Sequence, residues 1–489
     1  MTYRTPTLSK SKFVNGLQCL KMLWWRVKEP KAPELAVDPV TQQVFDNGTL
    51  VGQVARERFA GGVLLDYAPW QYRERCDATR AAMAADRSAL FEASFSANGV
   101  FVAVDILERD GDSHRLIEVK STTKQKSEHI PDVAIQLHVL RAAGVGVSKV
   151  EVMHLNRDCH FPDLSNLFTR VDVTDQATAL QDGIPDQVEQ MQQALAGALP
   201  TVDIGDHCHS PYECPFKSRC WPEQPKDHVS TLYRIGARAQ ELLAEGFETI
   251  HTIPDDYPLG TVAARQLRSV KTGKLIVEPG LREALVAIEQ PTAFLDFETI
   301  GPPIPVWDGC APYDAIAVQM SCHVLDAAGN LQHHEYLAED AEDPRAQVAE
   351  AVVRACEGSR TILAYNASFE RGCIERMAEA VPTHRAALTA ISERIVDLLP
   401  IIRNHVYHPD FGGSFSIKKV LPALVPSMTY SELEIGEGAT AQAMLERLLL
   451  REASLTPAER ETLRRQLLVY CKQDTLAMVR LLEVLRGMC

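Results

Sequence analysis

The sequence predicts an α/β protein with two α/β domains joined by a short helical connector. At 489 residues the chain is too long for one hydrophobic core. Strand-like and helical patterns mix as far as a Pro-Glu-Gln-Pro turn at 222–225, and a new apolar strand begins just after Pro291. We therefore predict one domain over 1–225, a connector over 226–290 and a second domain over 291–489.

Composition narrows the class of protein. Hydrophobic residues make up 46% of the chain and charged residues 24%, which is typical of a globular protein. The N-terminus lacks the apolar core of a signal peptide, and no apolar run reaches the length of a membrane span. We therefore expect a cytoplasmic protein with no membrane partner. In that compartment the twelve cysteines do not indicate a disulfide framework.

Charge gives two opposite indications about nucleic acid. The formal net charge of −15 argues against binding through overall charge. Carboxylates that hold divalent ions, however, present positive charge to a phosphate once they are loaded. Residues 1–31 carry seven Lys or Arg, among them Arg4 and Lys10, against Glu29 alone. This basic segment either meets a phosphate backbone or is a solvated terminus.

Two acidic residues and a lysine lie on neighbouring predicted strands in the first domain. Asp105 interrupts the apolar strand VFVAVDIL, and a charge there needs a reason. Glu118 and Lys120 are two residues apart on the following strand, so both project from one face, where strand pairing can bring Asp105 beside them. The group predicts a site for Mg²⁺ or Mn²⁺ beside a cation for water or phosphate. We expect such a lysine to lose its proton more readily than it would in water.

An Asp followed after a turn by Glu-x-Lys resembles the PD-(D/E)XK nucleases. The helical stretch PDVAIQLHVLRAAG resembles the RecB-type branch of that superfamily, which carries a helical Gln. The resemblance implies a restriction-endonuclease-like fold with catalytic roles for Asp105, Glu118, Lys120 and Gln136, and a further acidic metal position at Glu92. The alternative is a surface Glu–Lys pair beside an unrelated Asp.

One feature of that family is missing here. Relatives carry an upstream His ligand in a Gly-x-x-x-His pattern, whereas Gly48 is followed at that spacing by Gly52. Glu57, on the same predicted helix, is a candidate replacement.

Three cysteines, Cys208, Cys214 and Cys220, have five residues between each successive pair. Zinc sites usually contain close Cys-x-x-Cys pairs, and this segment has none. His207 and His209 flank the first cysteine and keep Zn²⁺ open as an alternative. The remaining interpretation is that the three cysteines lie in a Pro-rich loop and bind no metal.

Such a triplet after a nuclease domain, with a fourth cysteine near the N-terminus, resembles the iron–sulfur RecB-type nucleases. Here the fourth cysteine is Cys19. The resemblance implies a [4Fe–4S] cluster on all four cysteines, with a structural role, because a clasp that closes so long a loop limits the unfolded chain.

The connector contains LYRIGARAQELLAEGFETIHTIP, with Gly236 between two predicted helical stretches and Gly246 at a helix end. This resembles a helix-hairpin-helix unit, whose backbone amides meet phosphate. A plain helical connector is the alternative.

In the second domain, LDFET places Asp296 and Glu298 on one face of an apolar strand. AIAVQMSCHVLDAAGN and LQHHEYLAE predict two further strands. Near the C-terminus, YCKQD places Tyr470 and Asp474 four apart on a helix, and therefore on one face.

These motifs resemble the DnaQ-like (DEDD) exonucleases of ribonuclease H-like fold. The resemblance implies that Asp296, Glu298 and Asp474 hold two metal ions, that Tyr470 orients the attacking water, and that nucleotides leave from a 3′ end.

The middle motif of this second family departs from its usual form. The family has Asn-x-x-Phe-Asp, whereas this chain has Glu370 at the acidic position, and Asp397 is a second candidate for the fourth carboxylate. Lys418 and Lys419, on a short predicted helix, either face nucleic acid or are solvated.

Taken whole, the chain resembles a bacterial family that joins an iron–sulfur RecB-type nuclease to a DnaQ-like domain. The resemblance implies a metal-dependent nuclease, with DNA favoured over RNA as the substrate. The alternative is a nucleic-acid-binding or assembly protein in which one or both centres, above all the second, are inactive. A helicase or a defence or repair partner stays open, because no residue identifies one.

Overall fold

The structure is a computed structural model that describes residues 8–85, 87–431, 433–451 and 454–489. It is a mixed α/β fold, as predicted. The chain divides into two compact units: unit 1 is Met1–Pro222 with Pro302–Tyr313, and unit 2 is Glu223–Gly301 with Asp314–Cys489. Arg4, part of the basic N-terminal segment, lies outside the described residues.

Unit 1 contains one sheet and the helices around it. Its strands are β1 (Leu8–Ser9), β2 (Val63–Leu64), β3 (Ala89–Ala97), β4 (Val100–Asp110), β5 (Ser113–Lys120), β6 (Val147–Leu155) and β7 (Phe168–Asp172). Its helices are α1 (Lys10–Gln18), α2 (Leu20–Lys28), α3 (Pro39–Arg56), α4 (Tyr72–Ala84), α5 (His129–Ala142), α6 (Thr174–Ala179), α7 (Ile184–Ala196) and α8 (Lys217–Cys220).

The sheet of unit 1 has the strand order β2-β3-β4-β5-β6-β7, and β1 pairs in parallel with β4. β3, β4 and β5 form the antiparallel meander that the sequence predicts. The chain then crosses through α5 to β6, which runs parallel to β5. α5 is apolar on most sides and nine of its residues are buried, so the crossover fixes the helix firmly on the sheet.

Unit 2 contains the strands and helices that follow those of unit 1 in the chain. Its strands are β8 (Ile276–Val277), β9 (Thr292–Ile300), β10 (Ile316–Leu325), β11 (Leu331–Leu337), β12 (Thr361–Ala364), β13 (Ile395–Asp397) and β14 (Val406–Tyr407). Its helices are α9 (Arg238–Ala244), α10 (Thr261–Thr272), α11 (Leu281–Val286), α12 (Arg345–Ala355), α13 (Ser368–Ala380), α14 (Arg385–Glu393), α15 (Leu398–His405), α16 (Ile417–Leu424), α17 (Gly438–Leu450) and α18 (Pro457–Gly487).

The main sheet of unit 2 has the order β11-β10-β9-β12-β13. β9 is central, antiparallel to β10 and parallel to β12, and it is buried almost throughout, which explains its apolar sequence. α18 begins with a capping box between Thr456 and Glu459. The three strands predicted after Pro291 and the helix predicted at the C-terminus are confirmed.

The segment predicted as a connector belongs to unit 2 and contains α9, α10 and α11. Gly236 (φ 54°) precedes α9 and Gly246 (φ 90°) follows it, and both backbones are in the left-handed region that favours glycine. The stretch before Gly236 forms only a short 3₁₀ turn, so the prediction of two helices around Gly236 is wrong.

The residues between β9 and β10 were not predicted to leave their domain. Pro302–Tyr313 groups with unit 1, where the Cys310 carbonyl accepts from the Phe161 amide at 3.0 Å and Tyr313 Oη donates to the Ser121 carbonyl. Sequence patterns predict domains as continuous stretches, so they do not show that a segment of one domain groups with the other. No helix in the described part of the chain is long and apolar enough to cross a membrane.

Candidate metal centres and cysteine site

The first candidate centre lies in unit 1, where three strands place carboxylates in one row. In the register of β3 and β4, Glu92 stands opposite Asp105. In the register of β4 and β5, continued one residue beyond the pair Ile106–Ile117, Asp105 stands opposite Glu118. The sequence prediction that pairing would bring Asp105 and Glu118 together is therefore confirmed.

The Asp105 carboxylate replaces part of the strand ladder. Its Oδ2 accepts a hydrogen bond from the Val119 amide at 2.8 Å, which accounts for a charge within an apolar strand. Burial and the negative charge of Glu118 raise the pKa of Asp105 to about 7.

Glu118 is buried and has four close contacts. Lys10 Nζ donates to both of its oxygens, at 2.8 and 3.0 Å. Lys120 Nζ donates to Oε1 at 2.8 Å, and Gln136 Nε2 donates to Oε2 at 2.8 Å. The structure thus brings Lys120 and Gln136 onto Glu118, and it adds Lys10, which the sequence indicated only as part of a basic terminus.

Asp132 is a member of this centre that the sequence analysis missed. It is buried on α5, accepts from Lys120 Nζ, and lies 3.8 Å from Lys10 Nζ. Its position four residues before Gln136 places it on the same helix face, and that spacing was the available signal.

The charges of this centre largely satisfy one another. Burial acts to raise the pKa of Glu118, but the ammonium groups of Lys10 and Lys120 hold it well below its usual range. Burial likewise acts to lower the pKa of Lys120, yet the charges of Glu118 and Asp132 raise it above its ordinary value. The expectation that Lys120 loses its proton more readily than in water is therefore wrong, because two carboxylates stabilise its charged form.

The two remaining acidic candidates differ in position. Glu92 has a left-handed backbone (φ 61°), lies 3.6 Å from Arg75 Nη2, and its negative charge contributes to the raised pKa of Asp105. Glu57 directly follows α3 and is exposed. Within the described residues, no contact joins it to Asp105.

The second candidate centre lies in unit 2, between β9 and α18. Single ligand atoms of Asp296, Glu298 and Asp474 lie within 4.8 Å of one another. Among the described residues, this is the one set of three acidic, His or Cys side chains with that geometry. The structure therefore brings the first and last predicted motifs of the second domain to one point.

These carboxylates open onto a cavity of about 350 Å³. Tyr470, Glu370, Phe369 and Lys418 also line it. Phe369 is 40% exposed, so an aromatic face lies at the cavity beside the acidic group.

Glu370 and Asp397 were the two candidates for a fourth carboxylate, and the structure separates them. Glu370 is buried at the cavity, and its Oε2 has no hydrogen-bond partner. Asp397 accepts instead from the backbone amides of Asn366, Ala367 and Leu399, at 3.0, 3.1 and 3.0 Å, and is not among the cavity residues. Asp397 therefore has a structural role in this arrangement, and Glu370 is the carboxylate available to a ligand.

Two tyrosines and a lysine surround Asp474. Tyr430 Oη donates to Asp474 Oδ1 at 2.6 Å. Lys418 Nζ donates to Tyr470 Oη at 3.3 Å, and a hydrogen bond from Tyr470 acts to lower the pKa of Asp474. Burial and the charge of Asp474 raise the pKa of Tyr470, so this phenol stays protonated. Lys418 thus lies in the cavity, and Lys419 is exposed.

Sequence analysis could not assign Tyr430 to this site, because it lies 44 residues from Asp474 in a stretch with no motif. Lys418 was considered, but its spacing alone does not separate a cavity lysine from a solvated one.

The acidic group of unit 2 carries uncompensated charge. Burial and the charge of Asp474 raise the pKa of Glu298 to about 8. Burial and Asp397 raise the pKa of Glu370 to about 8, and burial raises that of Asp474 to about 6. Burial and its acidic neighbours raise the pKa of Asp296 well above its ordinary value. A divalent cation would relieve this repulsion.

The four predicted cysteines, Cys19, Cys208, Cys214 and Cys220, line one cavity in unit 1. Cys19 ends α1, and the adjoining Gln18 Nε2 donates to the carbonyls of His207 and Tyr212 at 2.8 and 2.6 Å. The N-terminal helices are thereby fastened to the cysteine-rich segment.

The four sulfur atoms converge less closely than the carboxylates of the second centre. No three of the four approach one another within 4.8 Å, judged over the described residues. His207 Nε2 lies 3.7 Å from Cys208 Sγ, whereas His209 Nδ1 lies 3.1 Å from a Glu213 carboxylate oxygen. Tetrahedral zinc would hold its sulfurs about 3.8 Å apart, because Zn–S bonds are about 2.3 Å long.

Burial raises the pKa of the Cys214 and Cys220 thiols, and the neighbouring cysteines add to the effect. Cys214 and Cys220 would therefore ionise to thiolates more readily with a bound metal than without one.

Comparison with known proteins adds one result. Residues 293–416, about a quarter of the chain, match the family described as Domain of unknown function (DUF2779). The match covers β9 and Glu370 but neither the C-terminal helix α18 nor unit 1's strands. No match was found among curated proteins.

Proposed function

We propose that this protein is a metal-dependent nuclease with two centres that hydrolyses phosphodiester bonds of DNA, or of RNA. In this proposal unit 1 is a RecB-type PD-(D/E)XK nuclease domain, and unit 2 is a DnaQ-like exonuclease domain of ribonuclease H-like fold. The meander with its crossover helix in unit 1, and the central β9 with α18 in unit 2, are compatible with these two folds.

One observation carries the proposal: the convergence of Asp296, Glu298 and Asp474 from distant parts of the chain. The pKa values of Glu298 and Asp474 are raised, so the protein alone does not stabilise these buried carboxyl groups in their charged form. With Glu370 Oε2 unpaired at the same cavity, the donor set suits Mg²⁺ or Mn²⁺, which prefer carboxylate oxygens.

Bound divalent ions would supply charge to the attacking and leaving oxygens of the phosphodiester. The chain's own residues then orient the reactants. Tyr470, protonated and held between Lys418 and Asp474 at the cavity, can orient the attacking water. Lys418 adds one positive charge at the cavity, and Phe369 offers a face for a base.

In the first centre, Asp105 and Glu118 are the ligand candidates, with Glu92 as a further carboxylate. Lys120 keeps its proton, so its part is to stabilise negative charge on phosphate rather than to take a proton from water. Gln136 holds Glu118 in position.

The cysteine site is included in the proposal as a [4Fe–4S] cluster on Cys19, Cys208, Cys214 and Cys220. Its support is that all four cysteines line one cavity, in a pattern that resembles the iron–sulfur RecB-type nucleases. Brown protein containing iron and sulfide supports the cluster; colourless protein with stoichiometric zinc contradicts it.

A second candidate function is a nucleic-acid-binding or assembly protein. One observation favours it for unit 1: the charge of Glu118 is already compensated by two lysines and a glutamine. In that case only the second centre would cleave, or neither would.

Digestion of end-labelled DNA and RNA, single-stranded and duplex, with Mg²⁺ or Mn²⁺ tests the proposal. We expect Lys120→Ala and Asp296→Ala each to remove one activity and the double variant to remove both. Glu350→Gln, an exposed acidic residue on α12, is the control and should cleave like wild type. Absence of metal-dependent cleavage by well-folded wild type would overturn the nuclease function.

A further inference from the structure

Lys10 is a buried contact of the first centre that comes from outside its strands. Its side chain is 24% exposed, and Nζ lies 2.8 and 3.0 Å from the two oxygens of Glu118. Lys120 contacts only one of those oxygens. Lys10 therefore occupies more of the Glu118 carboxylate than the motif lysine does.

The position of Lys10 is fixed by the fold. It begins α1, directly after β1, whose residues Leu8 and Ser9 pair with β4. Leu8 and Phe13, on either side in sequence, are each 1% exposed. The lysine is thus held beside the centre by packed backbone, and it is not part of a free basic arm.

Lys10 and Lys120 differ in what else holds them. Lys120 also donates to Asp132 Oδ2, whereas Lys10 lies 3.8 Å from Asp132 Oδ1, beyond hydrogen-bond distance. When a divalent ion takes Glu118, Lys120 stays held by Asp132, whereas no second carboxylate among the described residues lies within hydrogen-bond distance of Lys10 to keep it in place. The unbranched Lys10 side chain of four methylenes can swing outward without moving α1.

A divalent ion bound to Asp105 and Glu118 would need the same carboxylate oxygens that Lys10 contacts. An ammonium group and a divalent ion a few ångströms apart repel each other strongly in a partly buried site. The two cations therefore cannot hold Glu118 together on equal terms.

We propose that Lys10 is a positioning residue that competes with the divalent ion for Glu118 and so sets the ion affinity of the first centre. This inference rests on the proposed function of that centre. Binding of the ion displaces Lys10 from Glu118 and frees a cation beside the ion, where a phosphate of the substrate would lie.

The test measures Mn²⁺ binding directly, through the electron paramagnetic resonance signal of the free ion. The full chain carries Asp296→Asn and Asp474→Asn, so that the second centre does not bind. Into this background are placed Lys10→Met, which removes the charge, Lys10→Arg, which keeps it, and Lys12→Met, which removes a lysine of α1 that is not among the side chains hydrogen-bonded to Glu118. Circular dichroism verifies that each variant is folded.

We expect Lys10→Met to lower the Kd for Mn²⁺ about tenfold, or about 1.4 kcal/mol. Lys10→Arg should stay within about threefold of the background protein, a difference below 1 kcal/mol, and Lys12→Met should bind like that protein. An unchanged or higher Kd in folded Lys10→Met overturns the proposal, since a residue that merely supports the fold would not strengthen ion binding when removed.

Asp105→Asn in the same background separates the two claims. If it abolishes Mn²⁺ binding while Lys10→Met leaves the Kd unchanged, the metal centre stands and the role of Lys10 is wrong. If neither the background protein nor its Lys10→Met variant binds Mn²⁺, the metal function of the first centre fails, and the competition fails with it. Should Lys10→Met alone create binding, the competition is supported in its strongest form.

Discussion

The two centres differ in how they balance charge. In unit 1, Asp105, Glu118 and Asp132 face Lys10 and Lys120, three carboxylates against two ammonium groups in contact. In unit 2 four carboxylates, Asp296, Glu298, Glu370 and Asp474, share a cavity to which Lys418 contributes the single positive side chain among the described lining residues.

This difference reverses the ranking that motifs suggest. Glu-x-Lys with a helical Gln is the more complete motif, yet its central carboxylate is already paired within the protein. The second domain has Glu370 where the DnaQ-like exonucleases that it resembles have Asp, yet its acidic group has the geometry of a metal site and an unpaired carboxylate oxygen. Completeness of a motif and readiness for a cation are therefore separate properties.

The largest expected effect separates the centres by their dependence on the cysteine site. If the four cysteines hold a cluster, we expect Cys214→Ala to lower the free energy of unfolding of unit 1 by about 4 kcal/mol, because that cluster would close a long loop between Cys19 and Cys208. First-centre cleavage, measured in an Asp296→Ala background, should be lost. Second-centre cleavage, measured in a Lys120→Ala background, should persist.

Cys489→Ala, at an exposed cysteine, is the control for that comparison. Its activities and its protease resistance should equal those of wild type. If Cys214→Ala retains full first-centre cleavage and normal resistance to proteolysis, the cysteine site does not support unit 1, and the two centres do not differ in this respect.

Adjacent lysines offer a smaller and more specific test in unit 2. We expect Lys418→Met to reduce second-centre cleavage about tenfold, mainly through kcat, since Lys418 orients the Tyr470 hydroxyl and adds charge at the cavity. Lys419→Met, the exposed neighbour, should change KM slightly at most. Equal losses in both variants would indicate a general contact with nucleic acid and would remove Lys418 from the site.

Much of this arrangement follows from local pattern. The three strands around Asp105 and Glu118, the helix with Gln136, and the helical spacing of Tyr470 and Asp474 are fixed by hydrophobic periodicity and turn residues, which act over short stretches of sequence.

Other features depend on contacts between distant segments. Lys10 lies 108 residues from Glu118, and Tyr430 lies 44 residues from Asp474, so no local spacing links either pair. The transfer of 302–313 to unit 1 belongs to the same class. Asp397 was a candidate ligand from its sequence position, but its carboxylate accepts hydrogen bonds from backbone amides. The sequence does not reveal these bonds.

Stability as a function of pH should distinguish the centres by a few degrees in Tm. Glu298 and Glu370 have folded pKa values of about 8, raised above about 4.5 in the unfolded chain, so the stability they contribute is present below about pH 4.5 and is lost as pH rises through 8. We expect chelator-treated protein to melt about 5 °C lower at pH 8.5 than at pH 6.

Mn²⁺ should raise the Tm more at pH 8.5 than at pH 6, since it replaces the missing protons. Glu298→Gln should flatten the slope in differential scanning calorimetry. Glu118→Gln should not, because the pKa of Glu118 is lowered and its contribution is lost only at acidic pH. A slope as steep in Glu298→Gln as in wild type would mean that Glu298 does not contribute to the pH dependence.

The smallest effect concerns Glu370, where the motif of the second domain differs from that of the DnaQ-like exonucleases. Glu370→Asp shortens the side chain by one methylene and withdraws a carboxylate whose Oε2 is buried and unpaired at the cavity. If Glu370 is the fourth metal-binding carboxylate, second-centre cleavage should fall only severalfold, by about 1 kcal/mol, with a larger loss in Mg²⁺ than in Mn²⁺, because Mg²⁺ demands stricter octahedral geometry. Glu375→Asp, exposed on the same helix, is the matched control. If the two variants behave alike, Asp296, Glu298 and Asp474 form a complete metal site without Glu370. The buried, unpaired carboxylate of Glu370 would then only destabilise the second centre, and the first centre has no such group.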